Sequence, residues 1–190
     1  MEKIFNLIIN GVGGQGVITL LAIIDQAAFF EGYDVRSSEL HGLSQRGGSV
    51  EAHIRFGKKV YSPLVANGQA DLIIALEMLE GFRESSKSGK LAKFLINDFI
   101  SPFQGSPSKE EIKLKLNLLP NEIYIVAASE NCKQKLQKEI VSSVYLLGYA
   151  IAKKIIPISK NSVIRAINMM PEKNKEININ AFNLGFNNDK

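Results

Sequence analysis

The chain has 190 residues, 45% of them hydrophobic and 22% charged, which fits one soluble globular domain with a substantial core. Its net charge of +4 comes from lysines scattered among acids, which argues against nucleic acid as a partner. A single cysteine, Cys132, excludes an internal disulfide and a four-cysteine metal site, and it fits a reducing cytoplasm.

Met1-Glu2-Lys3-Ile4 runs directly into a strand and lacks the layout of a signal peptide. The longest apolar stretch, 17–24, is too short to span a bilayer. Residues 4–10 read as a strand apolar on both faces, hence central and parallel. The loop Gly11-Val12-Gly13-Gly14-Gln15-Gly16 follows, then an apolar helix over 17–31. Gly11, Gly13 and Gly16 have the spacing of a dinucleotide loop. The helix start leaves unpaired N–H groups and a partial positive charge suited to phosphate or carboxylate. The same glycines could instead serve only close helix–strand packing. The helix is apolar nearly all round, so more than one face is buried, either wholly in the core or in part against a partner subunit.

Residues 34–40 form a second strand ending near Glu39, where a nicotinamide enzyme holds a ribose hydroxyl. The loop His41-Gly42-Leu43-Ser44-Gln45-Arg46-Gly47-Gly48 comes next. Arg46 there carries a permanent charge able to fork onto a carboxylate or phosphate. Residues 49–56 alternate strictly, with Val50, Ala52, Ile54 and Phe56 inward and Ser49, Glu51, His53 and Arg55 outward. His53 then reads as an exposed strand histidine with no nearby Cys or His to make it a metal ligand. Gly57-Lys58-Lys59 is a turn, and Val60-Tyr61-Ser62 returns as a hairpin partner.

The βα rhythm resumes with a strand over 70–76, a short helix over 77–86 and a strand over 94–97. Residues 101–108 are a loop. Ser108 and Glu111 form a capping box for a helix over 109–118. A strand over 122–128 precedes a long helix, with Ser129 and Asn131 as caps and Pro157 beyond its end. Leu136, Ile140, Val144, Leu147 and Ile151 mark its apolar face. Ser159 caps a helix over 160–169, and 172–190 read as a final short helix with a loose tail. The expected fold class is α/β: a Rossmann-like three-layer fold with a mostly parallel sheet and an inserted β-hairpin. It forms one domain over 1–190, with a helical C-terminal tail from about 159.

Gly13-Gly14-Gln15-Gly16-Val17, Ser38-Glu39-Leu40-His41-Gly42, Gln45-Arg46-Gly47-Gly48-Ser49-Val50, Val60-Tyr61-Ser62-Pro63, Ala70-Asp71 and Ala75-Leu76-Glu77 resemble the gamma-type domain of the 2-oxoacid:ferredoxin oxidoreductases. The resemblance covers about 1–185, and the second glycine loop leans toward the indolepyruvate branch. It implies an accessory subunit of an arylpyruvate enzyme, inactive alone. Thiamine diphosphate and [4Fe–4S] clusters would sit in a larger partner subunit, with ferredoxin reached through that subunit and coenzyme A as co-substrate. This chain would hold no cofactor alone. Gly13, Gly14, Gln15 and Gly16 form a polar nest at a helix start. They are the candidate cofactor-binding residues. Glu39, His41, Gln45, Arg46, Gly47 and Gly48 are candidates for facing substrate or partner.

No elbow serine, paired histidines or Walker lysine offers stand-alone catalysis, and Cys132 reads as a structural thiol. Two other readings stay open. One is an NAD(P)-binding oxidoreductase using Gly11, Gly13, Gly16 and Glu39; the other is an assembly module without ligand contacts. The apolar helices also allow a homodimer of the isolated chain.

Overall fold

The computed structural model describes residues 3–41, 47–103 and 105–188, without the side chain of His41. Among them, six strands form one sheet: β1 (Phe5–Val12), β2 (Asp34–His41), β3 (Ser49–Gly57), β4 (Ala70–Ala75), β5 (Ser88–Asn97) and β6 (Glu122–Val126). Their order is β2-β3-β1-β4-β5-β6. β1, β4, β5 and β6 are parallel, and β3 runs antiparallel to both β1 and β2. The α/β class and the mostly parallel sheet are as expected.

Helices cover both faces because the central strands are apolar on both. Leu7 and Ile9 of β1 face α1 (Val17–Phe30), α4 (Ala128–Leu136), α5 (Ser142–Ala152), α6 (Lys160–Asn168) and α7 (Glu172–Phe186). Ile8 joins Ile73, Phe94 and Ile96 beneath α2 (Met78–Arg83) and α3 (Lys109–Asn117). The second apolar face of α1 meets Val163, Ala166 and Ile167 of α6 within one cluster, leaving Ile18 and Phe29 exposed. The Ser108–Glu111 capping box forms at α3, and Ser159 accepts the Ser162 N–H at α6.

Several local expectations are corrected. Val60–Ser62 is not a strand, and the hairpin partner of β3 is β2. Side chains hold the 60–65 segment in place of a ladder. Val60 N–H donates to Asp34 Oδ2 at 2.9 Å, and the Arg55 guanidinium donates to the Ser62 carbonyl at 3.0 Å. Val65 N–H donates to His53 Nδ1 at 2.9 Å. That segment covers the outward row of β3, so His53 is 1% exposed rather than open to solvent. Its Nε2 meets the Glu51 carboxylate, which fixes the hydrogen on Nε2 because Nδ1 is accepting.

The long helix expected after β6 is two helices. Gln137 takes a left-handed conformation, φ 54°, and closes α4 with N–H bonds from Gln137 to Lys133 O and from Lys138 to Cys132 O. A short 3-10 turn, Glu139–Val141, then redirects the chain into α5. Ile140 thereby leaves the apolar face and is exposed. Ser129 and Asn131 do not cap α4, whose N-cap is Ala127; Ser129 instead exchanges hydrogen bonds with buried Asn97. β5 begins at Ser88, not Phe94. The expected short last helix is α7, 15 residues long, packed across α5. Gly148 and Gly185 make that crossing. A Cβ on Gly148 would lie 2.1 Å from Phe182 O, and one on Gly185 would lie 1.9 Å from Tyr145 O.

Candidate functional site

The first glycine loop leaves the carboxyl end of β1 and enters α1. Gly14 and Gly16 have φ of 99° and 88°, which only glycine adopts cheaply. Gly16 also needs its missing side chain, since a Cβ would lie 2.9 Å from Ser143 Oγ. α1 begins without a side-chain cap and without an acid in its first turn, so its N–H groups and positive dipole end stay available. Gln15 turns back: its Oε1 accepts the Val12 N–H at 2.8 Å and fills the space above Gly11.

The second loop meets the first through β3, not through an adjacent β2. Gly13 N–H donates to Gly48 O at 2.9 Å, where β3 begins. Gly13, Gly14, Gln15, Gly16, Gly47 and Gly48 thus gather at one sheet edge. Gln45 and Arg46 lie outside the described residues, as does the side chain of His41. Glu39 lies on β2 opposite Ala52, with all of β3 between it and β1. Two strand spacings, about 9–10 Å, separate the two strands. A Rossmann acid needs its strand beside the glycine-loop strand, so this order counts against the dinucleotide reading.

Above the first loop is a cleft of about 900 Å³. Gly13, Gly14, Gly16 and Thr19 form one wall; Lys138, Ile140 and Ser143 form another; Asn174, Ile177 and Asn178 of α7 close it. No acidic side chain lines it among the described residues. Lys138 and the α1 terminus make it a place for an anionic group on an apolar body. Sequence reasoning missed these second and third walls. They depend on the break at Gln137 and on an Asn-rich helix, neither of which carries a local signal.

The acids with shifted carboxyls lie outside the cleft lining. Asp25 on α1 is driven up to about 6, chiefly by burial, with the Ser37 hydroxyl opposing and Glu39 adding to the shift. Ser37 Oγ donates to Asp25 Oδ2 at 2.5 Å. On the other face, Glu77 N-caps α2 by accepting the Glu80 N–H at 2.8 Å and also accepts the Ser101 N–H at 3.2 Å. Burial raises the Glu77 carboxyl above its usual range despite those bonds. The hydrogen bond from His53 pulls the Glu51 carboxyl down. Cys132 is buried and its thiol is pushed up to about 12 by burial alone, so it is neither a nucleophile nor a thiolate ligand at neutral pH.

Comparison with known proteins agrees with this architecture. The family model for pyruvate ferredoxin/flavodoxin oxidoreductase matches residues 6–188. The indolepyruvate oxidoreductase subunit IorB of Pyrococcus horikoshii is 36% identical, over 96% of this chain and 95% of that protein. Its counterpart in Thermococcus kodakarensis is 33% identical over the same shares. Among solved structures, the gamma subunit of a keto/oxoacid ferredoxin oxidoreductase from Geobacter sulfurreducens superposes with a TM-score of 0.71 at 22% identity, covering 96% of both chains. The 2-oxoglutarate:ferredoxin oxidoreductase of Magnetococcus marinus, solved with 2-oxoglutarate, coenzyme A and succinyl-CoA, gives 0.74 at 18% identity; 98% of this chain matches 31% of that one. With nearly its whole length covered by the family model and by relatives above 30% identity, the chain belongs to the pyruvate ferredoxin/flavodoxin oxidoreductase family.

Proposed function

We propose that the chain is the accessory subunit of an arylpyruvate:ferredoxin oxidoreductase, with indolepyruvate as the reference substrate. The observation that carries this is full-length similarity to indolepyruvate oxidoreductase subunits, at 32–36% identity over 96% of the chain. The catalytic partner is a larger subunit holding thiamine diphosphate and [4Fe–4S] clusters. Thiamine diphosphate supplies the carbanion chemistry of decarboxylation, and ferredoxin takes the electrons from the clusters. Cluster ligation does not fit this chain, whose lone cysteine is a buried, protonated thiol. Its own part is to close the reaction chamber and guide coenzyme A with the paired glycine loops.

The cleft supports that part. It joins the open start of α1 and Lys138, which suit phosphate, to Ile140 and Ile177, which suit an apolar tether. The loop that includes Arg46 ends at Gly48, whose carbonyl accepts the Gly13 N–H. A reducing cytoplasm fits the single cysteine. The exposed Ile18 and Phe29 supply apolar surface for self-association of the isolated chain.

The test is anaerobic co-purification from the native host, followed by an indolepyruvate assay with coenzyme A and ferredoxin. Recovery of a large iron–sulfur partner and turnover are expected. In that complex, Arg46→Ala should lower kcat/KM by roughly tenfold or more, the worth of a charge-assisted hydrogen bond. Recovery of the chain alone without activity would overturn the subunit reading. An Arg46→Ala complex with unaltered assembly and turnover would overturn the chamber-facing role of the loops.

A further inference from the structure

Four polar residues alternate along β3, and the first of them, Ser49, stands where the second glycine loop ends. Ser49 Oγ donates to Glu80 Oε2 at 2.5 Å. Glu80 sits in α2 with only 6% of its surface exposed, and it is held from every side. Its other carboxylate oxygen takes the Arg83 guanidinium. Its N–H donates to Glu77 Oε2 at 2.8 Å, and its carbonyl accepts Asn10 Nδ2 at 2.7 Å. Asn10 is itself buried, two residues before the end of β1 and facing Glu51 of β3. One residue of α2 therefore touches the last turn of β1 and the first residue of β3. Those are the two strands whose ends carry the glycine loops.

The consequence is positional. Gly48 precedes Ser49 directly, and Gly48 O is the acceptor for Gly13 N–H. Ser49 is exposed and its register partner is Val12, so its ladder position lies at the fraying end of β3. No apolar side chain anchors that end until Val50. Beyond its ladder pairing, Ser49 is tied by its side chain to a buried carboxylate that Arg83 also holds, in a residue whose backbone N–H and carbonyl are bonded as well.

We propose that Glu80 is a positioning residue, acting through Ser49 to hold Gly48 against Gly13 and so keep the two glycine loops in one arrangement for the reaction. The proposal deepens the chamber-facing reading of those loops and rests on it. Neither Glu80 nor Ser49 touches a reacting atom. One Glu80 carboxylate oxygen accepts the Ser49 hydroxyl and the other meets the Arg83 guanidinium, so the carboxylate joins the two side chains.

The experiment uses the co-expressed complex with the partner subunit and three variants: Ser49→Ala, Ser49→Thr and Glu80→Gln. Hydrogen–deuterium exchange is followed on the peptide spanning Val12–Val17. KM for coenzyme A and kcat are measured separately. Ser49→Ala should speed exchange at Gly13 and raise KM roughly tenfold, the usual effect of losing a hydrogen bond to a charged group, with kcat changed less than about twofold. Glu80→Gln should do the same more weakly. Ser49→Thr, which keeps the hydroxyl, should restore both readouts. Unchanged exchange in Ser49→Ala, or a Ser49→Thr variant no better than Ser49→Ala, overturns the proposal. Faster exchange with an unmoved KM also overturns it as a role in the reaction; if Arg46→Ala is silent too, the fault lies with the chamber-facing reading instead.

Discussion

Ser49, Glu51, His53 and Arg55 read in the sequence as the wet side of a half-buried strand. Their inward neighbours Val50, Ala52, Ile54 and Phe56 are indeed buried. Alternation states which side chains share a face, but it does not state what covers the second face. Here α2 and the 60–65 segment cover it, and each of the four residues has a specific partner. Buried polar groups must be paired, so the row became a set of staples. Asp25 is a costly exception among the described residues. Its Oδ1 is buried with no hydrogen-bond partner among the described residues, and its carboxyl titrates at about 6. The folded state then holds a proton that the unfolded state has released above its ordinary value of 3.8. Stability should therefore fall as pH rises from about 4 through about 6, by about 2 kcal/mol once partial exposure is allowed for. Denaturant titrations at pH 5 and pH 8 should show about half of that loss in the native chain. Asp25→Asn should remove most of it and be the more stable form at pH 8. A slope unchanged by the substitution would assign the pH dependence elsewhere.

At the scale of elements, most of the strands and the capped helices α3 and α6 were readable because their signals are local. The box at Ser108 and Glu111, the Ser159 cap and the glycine loop before α1 all carry their own chemistry. The break after α4 was not readable, because Gln137 occupies the left-handed position that glycine usually marks. Helical spacing of Leu136, Ile140 and Val144 runs straight through it. The full length of α7 was hidden for a related reason: its Asn and Lys residues suggest a short helix with a solvated tail. What orders it is contact with α5 at Gly148 and Gly185. Gly148→Ala should be severe, since its new Cβ would overlap backbone atoms of Phe182 and Phe186 that cannot give way. A loss of about 3 kcal/mol or more, or failure to accumulate as folded protein, is expected. Thermal unfolding of the variant beside the native chain measures it, and a loss below about 1 kcal/mol would mean that the helices slide apart freely. Because Asn174 and Asn178 of α7 wall the cleft, such sliding would also reshape the candidate site.

Over the whole molecule, α/β alternation was legible from the spacing of apolar runs, and the sheet order was not. Sequence proximity suggests that β2 lies beside β1, as in a dinucleotide fold. The observed order places β3 between them, and β3 is long and apolar on its inner row, which suits it to the interior of the sheet better than β2 with its Arg36, Ser37, Ser38 and Glu39. This one exchange moves Glu39 away from the first glycine loop and brings Gly48 to it. The family resemblance, carried by short motifs, singled out residues of both glycine loops without showing how those loops touch.

That same strand order dictates when the N-terminal region can fold during synthesis. β1 and β2 share no ladder, so a nascent chain ending before Ser49 has two strands and a helix but no pair of strands that belong together. Once β3 emerges, both find their neighbour at once, and β1 gains its second in β4. A fragment ending at His41 should stay protease-sensitive, whereas one ending at Ala75 should resist digestion within β1, β3 and β4. Equal sensitivity of the two would place the first stable sheet later, at β5 and β6. If the order holds, exposure of the apolar β1–α1 segment at the ribosome lasts until about residue 57 has cleared the exit tunnel, making this stretch a natural client for chaperones.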